Sequence, residues 1–312
     1  MKKPIPPRTF ETFRPPNKNY NYFENWKSNP FRAQAMQLDL VNAWWMADAA
    51  LLAYAQEAGP KLSVEQVFRD TGLTDAGFAV NGISAESTQC FVVSNKEFVL
   101  VAFRGTEIDN FPGGLRDFIT DLTFHKVSDG HGGKVHKGFL SQLDAIWGNL
   151  LAHLRTAGGE NLPVWFTGHS LGAALATLAA ERAARETLPL RVQGLYTFGS
   201  PRVGNVAFRA RFELHPFARN AYRFQHHKDM VTKLPPEKLC FSYKHVDTLE
   251  YIDKDGNLHG PGGAADDSSG AELAHFISIL RQAHADGTLP LPDALVDHAP
   301  IYYAVHVWNN IP

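Results

Sequence analysis

Leu162-Pro163-Val164-Trp165-Phe166-Thr167-Gly168-His169-Ser170-Leu171-Gly172-Ala173-Ala174 decides the fold. Leu162–Thr167 is a short apolar run with the composition of a buried strand, and Leu171–Glu186 is an Ala/Leu-rich helix. Between them lies a G-x-S-x-G pentapeptide, Gly168 to Gly172, in the strand–turn–helix setting that gives that pattern meaning. A serine on so sharp a turn needs tiny neighbours two residues either side, which Gly168 and Gly172 supply. Ala173 and Ala174 let the helix pack close behind. The turn lifts the Ser170 hydroxyl clear of the sheet and aims a helix N-terminus at it, where partial positive charge favours a developing oxyanion.

Outward from this elbow the pattern alternates strand and helix. Gln89–Ser94 and Glu97–Phe103, joined by Asn95-Lys96, predict a β-hairpin. Helical spacing runs from Val135 to Ala157, a strand covers Val192–Phe198, a helix Val206–Leu214 and a strand Ala221–Phe224. Tyr243–Ile252 with Asp255-Gly256 predicts a second hairpin, and Ala271–Ala285 a last long helix. Nearer the N-terminus, Met36, Leu40, Ala43, Trp44, Ala47 and Leu51 place a helix over Ala33–Gln56, with Trp44 and Trp45 in the core. Ser63 is placed to cap a short helix. The expected architecture is an α/β fold with a mostly parallel sheet covered on both faces. Residues 1–30, rich in Pro, Asn, Lys and aromatics, are expected to form an extended arm pinned by Phe10, Phe13, Tyr22, Phe23 and Trp26, with 31–312 as one domain.

A serine hydroxyl is a weak nucleophile at neutral pH and needs a base oriented by a third group. On this scaffold the chain order is nucleophile, acid, histidine. Asp229, just past the Ala221–Phe224 strand, fits the acid, whereas Asp247, Asp253 and Asp255 fall on or in the predicted hairpin. His298 precedes Ala299-Pro300, and proline in a first turn marks a helix start, so His298 sits at a loop–helix junction suited to a base. His306 falls within that helix, and His169, His226 and His227 lie too close in sequence to the other candidates.

Composition narrows the alternatives. A formal net charge of -2 provides no field for nucleic acid or anionic membranes. No zinc-type spacing or phosphate loop is present, and no stretch approaches a membrane span. Prolines follow Lys2 and Lys3 where a Sec-type signal would have an apolar run, which leaves a cytoplasmic protein or export by a leaderless route. Cys90 and Cys240 could form one disulfide or stay as two thiols.

With these sites in place the chain resembles the class 3 lipases, the family of the filamentous fungal triacylglycerol lipases. The pieces that carry the resemblance are Phe103-Arg104-Gly105-Thr106, Asp121-Leu122-Thr123-Phe124, Val135-His136-Lys137-Gly138-Phe139 and the elbow. They continue with Thr197-Phe198-Gly199-Ser200-Pro201-Arg202-Val203-Gly204-Asn205, Asp229 through Leu234-Pro235-Pro236, and Asp297-His298. The resemblance implies the α/β-hydrolase fold and an ester hydrolase acting on acylglycerols through Ser170, His298 and Asp229. It implies an oxyanion hole from Thr106 and the Leu171 N–H, and no metal or organic cofactor. It also implies a lid over about 107–118 with Ile108, Phe111, Leu115 and Phe118 as its apolar, lipid-facing side, and a structural role for His136. The lid segment is longer than in the fungal lipases, the cysteines are too few for their disulfides, and Tyr302 falls one position later than the family's tyrosine after the base. These departures point to a bacterial-type relative. Phospholipase A1 and feruloyl-type esterase activities share the scaffold, and a catalytically silent interaction module is the reading from another class.

Overall fold

A computed structural model describes residues 1–57, 62–86, 88–106, 125–158, 160–188, 190–237, 242–261, 275, 278 and 293–312. Twelve strands fall in these residues: β1 (Ala79–Ala85), β2 (Thr88–Ser94), β3 (Val99–Phe103), β4 (Lys126–Ser128), β5 (Lys134–His136), β6 (Val164–His169), β7 (Val192–Phe198), β8 (Gly204–Asn205), β9 (Ala221–His226), β10 (Tyr243–Lys244), β11 (Thr248–Ile252) and β12 (Leu258–His259). Eight of them form one sheet in the order β1-β2-β3-β6-β7-β9-β11-β12. The five from β3 to β11 run parallel, and antiparallel strands flank them at both ends. The remaining four make a small antiparallel sheet, β10-β8-β5-β4. This is the α/β-hydrolase fold.

The central strands are apolar on both faces because helices cover both. On β3, Val99, Val101 and Phe103 enter one core and Leu100 and Ala102 the other, the two-residue period of a strand. The first core is closed by the Lys137–Thr156 helix, which buries Phe139, Leu143, Ile146, Trp147, Leu150 and Leu154, and by the Leu171–Arg185 helix behind the elbow. The second is closed by the Leu40–Leu52 and Pro300–Asn309 helices.

Most strands and helices lie where periodicity places them, within a few residues. The helix expected over Ala33–Gln56 is shorter, beginning at Leu40 and passing into a 3-10 turn at Ala53. The cause is Asp39, whose carboxylate accepts from the Val41 and Asn42 N–H groups and so caps the helix. Met36, placed on the helical stripe by spacing, is exposed. Ser63 caps Val64–Asp70 as expected. The Val135–Ala157 span divides into β5 and a helix starting at Lys137, and the Tyr243–Ile252 arm divides into β10, on the small sheet, and β11, on the large one. The Ala271–Ala285 helix, apart from His275 and Ser278, and Cys240 lie outside the described residues. Cys90 is a free, buried thiol.

The first thirty residues are folded into turns and a short helix, Phe10–Phe13, rather than extended throughout. Phe13, Tyr22 and Phe23 join the second core, and Trp26 packs against it. A buried carboxylate on the Leu40–Leu52 helix anchors the segment: Asp48 accepts from Tyr20 Oη and from the Phe23 N–H, each at 2.7 Å. Burial pushes the Asp48 carboxyl from 3.8 up to about 6, against the opposing pull of Lys3. Between those pH values the folded protein holds a proton that the unfolded chain has released, so stability falls as pH rises through the window. The expected size is of order 3 kcal/mol from the shift alone. Unfolding titrations of wild type and Asp48→Asn from pH 3.5 to 7 should therefore diverge, with only the wild type losing this increment; parallel curves would show that Asp48 is not raised.

Candidate active site

Ser170 stands between β6 and the following helix with φ 58° and ψ -127°, a backbone conformation that costs a side-chain-bearing residue of order 1–3 kcal/mol. Its surroundings over-determine that turn. The Ser170 N–H donates to Phe198 O at 3.0 Å, and Ser170 O accepts from the Ala173 N–H. A methyl group on Gly168 would overlap the Gly172 carbonyl, and one on Gly172 would overlap the Phe103 carbonyl and approach the Arg104 carbonyl carbon. The need for small residues at both positions, expected from the turn, thus has identified backbone atoms behind it. Leu171 opens the helix, so its N–H has no acceptor within the helix itself.

Asp229 follows β9 by three residues and begins the short 3-10 turn Met230–Lys233. Its Oδ1 accepts from the Val231 N–H at 2.9 Å. Its Oδ2 accepts from His298 Nδ1 at 2.8 Å and from Tyr303 Oη at 2.5 Å. Because Nδ1 donates to the carboxylate, Nε2 carries the lone pair of a neutral His298 ring. Asp229, His298 and Ser170 are all buried, at 0%, 1% and 2% exposure. Ser170 Oγ and His298 Nε2 are two buried polar atoms with no hydrogen-bond partner among the described residues. Gly199, which follows the Phe198 that bonds Ser170, has φ +58°, and a methyl there would press on Asp229 Oδ2 and the His298 ring at 2.8–2.9 Å. The three sequence-predicted residues are therefore gathered around the end of β7.

Thr106 lies three residues past β3, with Oγ1 buried and unpartnered among the described residues. The loop before it packs on the elbow at Gly172 and beside the His169 carbonyl at Gly105. Ile108, Phe111, Leu115 and Phe118 lie outside the described residues. His136 is buried with its ring on Phe139 at 4.2 Å. Asp247 is committed elsewhere, paired with Arg223 at 3.2 Å, and Asp253 pairs with His259 in its own turn.

Sequence reasoning quoted Asp297 only as the neighbour of His298 and set His226 and His227 aside, and so missed that these groups hold the loop carrying His298. Asp297, 1% exposed, accepts from His227 Nδ1 (2.8 Å) and Lys228 N (3.2 Å) on one oxygen and from Arg8 Nη2 (3.2 Å) on the other. His226 Nδ1 donates to the Asp297 carbonyl at 3.0 Å. Burial lowers the His226 pKa, and burial with the neighbouring His226 lowers that of His306 to about 4. Tyr303 also went unnoticed, because Tyr302 stands nearer the expected offset after His298. The last helix begins only at Pro300, which turns Tyr303 towards β9, where it also accepts from the His226 N–H; Tyr302 reaches out to Pro7 O instead.

The chain matches the Lipase (class 3) family over residues 100–239. It is 30% identical over 233 residues to a secreted mono- and diacylglycerol lipase of Penicillium cyclopium, covering 71% of this chain and 72% of that protein. It belongs to the class 3 lipase family. A second relative, a secreted mono- and diacylglycerol lipase of Fusarium solani, is 38% identical over 143 residues, which span 45% of this chain and 41% of that protein. Among solved structures, a mutant form of MDLA from Penicillium cyclopium superposes with a TM-score of 0.58 at 25% identity, over 85% of this chain and 95% of that one. Among the described residues of this lipase-family chain, no helix is long and apolar enough to cross a membrane.

Replacing Tyr303 by Phe removes one donor from a buried carboxylate, which should cost about 1–3 kcal/mol of stability. Tyr302→Phe removes only a long bond to a backbone carbonyl near the N-terminus and should cost less than about 1 kcal/mol. Thermal unfolding of the two variants decides between them, and equal losses would contradict the assignment of Tyr303 to Asp229.

Proposed function

We propose that the protein is a serine-dependent acylglycerol lipase in which Ser170 is the nucleophile, His298 the general base and Asp229 its orienting carboxylate. The observation that carries this reading is the strained, buried Ser170 elbow together with the buried His298 imidazole, whose Nδ1 is already bonded to a buried carboxylate. A buried serine hydroxyl and a buried imidazole nitrogen, both without partners among the described residues, are groups kept for a reacting substrate rather than for packing.

In this mechanism His298 Nε2 takes the Ser170 proton as Oγ attacks the ester carbonyl. Asp229 keeps the proton on Nδ1 and stabilises the imidazolium. The Leu171 N–H, with the Thr106 N–H and hydroxyl, receives the oxyanion, to which the helix N-terminus adds its partial charge. His298 then protonates the leaving alcohol, and water repeats the sequence on the acyl-enzyme. The relatives' activity on mono- and diacylglycerols supports a lipid ester as substrate, met at a lipid–water interface. The segment 107–118, directly after Thr106, is the proposed lid, supported by the apolar residues Ile108, Phe111, Leu115 and Phe118. Residues 31–312 form one α/β-hydrolase domain in this reading, supported by two cores that meet on a single sheet.

Initial rates on p-nitrophenyl esters from acetate to palmitate, with and without emulsified acylglycerol, test the proposal. Activity should rise with chain length and increase at the interface, and Ser170→Ala should lower turnover by at least about a thousandfold. Faster turnover of phospholipid or feruloyl esters would replace the substrate assignment while keeping the chemistry. A folded wild type that hydrolyses no ester would remove the enzyme reading altogether.

A further inference from the structure

His169, the residue before Ser170, is buried and makes two hydrogen bonds, neither of them to a group in the proposed triad's proton path. Its Nε2 lies 2.7 Å from the backbone carbonyl of His298. Its Nδ1 lies 2.9 Å from Tyr54 Oη, which comes from the 3-10 turn after the Leu40–Leu52 helix. A carbonyl oxygen only accepts, so the proton must be on His169 Nε2. Burial, reinforced by the nearby His298 ring, holds the His169 pKa well below its ordinary value, so the ring is neutral. Nδ1 is then a bare lone pair, and Tyr54 must be its donor. The phenol is suited to this, since burial raises its own pKa. Direction therefore runs one way along the chain: Tyr54 to His169, and His169 to the His298 carbonyl.

The same tyrosine borders the strand end that leads to Thr106. Tyr54 Oη lies so close to Gly105 that any side chain there would overlap it, and the His169 carbonyl borders Gly105 at 2.7 Å from a methyl position. One hydroxyl and one imidazole thus touch the loop of the proposed oxyanion hole, the residue beside the nucleophile and the backbone of the base. The His169 and His298 rings are 4.4 Å apart and tilted by 38°, so a shift of the His298 backbone carries the imidazole with it.

We infer that Tyr54 and His169 are positioning residues: Tyr54, donating to Nδ1, orients the His169 ring, and His169 uses its Nε2 proton to hold the His298 backbone over the nucleophile elbow. The inference rests on the triad proposed above. Neither residue touches the reacting atoms, so their loss should lower kcat and leave KM nearly unchanged, because proton transfer depends steeply on geometry while ester binding does not.

The conservative variants separate the two bonds. Asn at 169 places a polar atom where Nδ1 stood but cannot reach the His298 carbonyl, whereas Gln places an amide donor where Nε2 stood. In the full chain, assayed on a soluble short-chain ester, His169→Asn should lower kcat by about ten- to a hundredfold with KM within about twofold. His169→Gln should recover most of that loss. Tyr54→Phe, which removes one oxygen, should lower kcat by about three- to tenfold. Adding it to His169→Asn should cost nothing further, because both act through one chain of bonds. Nitrogen-15 NMR of histidine-labelled protein, with His169 assigned by its variants, should show the Nε2–H tautomer in wild type, as the His298 carbonyl requires.

Wild-type kcat in both Tyr54→Phe and His169→Asn, with Ser170→Ala inactive, would overturn the inference and leave the triad standing. An Nδ1–H tautomer in the wild type would overturn it as well. Undiminished hydrolysis by Ser170→Ala would instead strike the triad itself. If the His169 variants do not fold, Tyr54→Phe and the wild-type tautomer still decide.

Discussion

A carboxylate with no exposure to water, Asp229, sets the terms for the rest of this molecule. Burying a carboxylate costs several kcal/mol unless donors surround it, and removing one partner of such a set leaves most of that cost standing. The donors here come from three places: the Val231 N–H in its own turn, His298 from the loop before the last helix, and Tyr303 from that helix. The Pro300–Asn309 helix therefore cannot leave without uncovering charge. Its own docking is against the Leu40–Leu52 helix, where Trp44 and Trp308 meet edge to face at 4.7 Å. The N-terminal residues close over it in turn, through Lys3 to Asn309 and Met1 to Trp308. The beginning and end of the sequence are thus tied to a site that the middle supplies.

The same rule organises the other buried acids. Asp48 draws Tyr20 and the Phe23 backbone onto the core, Asp247 is matched by Arg223, and Glu181 by Arg185 and Arg211. Most of these pairings join segments far apart in sequence, so their value is in specifying which segments meet as much as in net stability. Glu250 departs from the pattern. It is 1% exposed on β11, both of its oxygens lack a hydrogen-bond partner among the described residues, and burial pushes its carboxyl up to about 7. A neutral carboxylic acid is the tolerable form of such a group, because it avoids the desolvation cost of the charge.

What could be read from the sequence follows from how local each signal was. The elbow, the central strands and the helix behind Ser170 rest on apolar runs whose patterning belongs to the element itself. Asp229 and His298 were legible because chain order and a helix-starting proline constrained them. β1, Ala-Val-Asn-Gly-Ile-Ser-Ala, was not, since it is mostly exposed at the sheet edge and held there by pairing with β2. The small second sheet was invisible for a related reason: β8 and β10 have two residues each and exist only through pairing with other strands. The helix over Ala33–Gln56 was overextended because apolar spacing continued upstream of Asp39, and the cap outweighed it. Tyr303, Tyr54 and His226 carry no pattern of their own, and Asp297 stood out only as the neighbour of His298; their roles arise from contacts across as many as 289 positions of sequence.

That division also explains where strain can be kept. The Ser170 turn is unfavourable by itself and persists because atoms on four sides fix it: Phe198 O, the Gly172 and Phe103 carbonyls, and the ring of the preceding histidine, itself bonded to the His298 carbonyl. None of these is a flexible surface group. Three come from strands of the central sheet or the first turn of the helix behind it, and the fourth ties the elbow to the C-terminal segment. Gly199 completes the arrangement by being absent as a side chain: its positive φ and missing Cβ let the Asp229–His298 pair settle against the end of β7, next to the residue that holds Ser170. A rigid sheet edge thus places a strained serine and a buried carboxylate–imidazole pair within one close-packed volume, where neither could relax without displacing backbone.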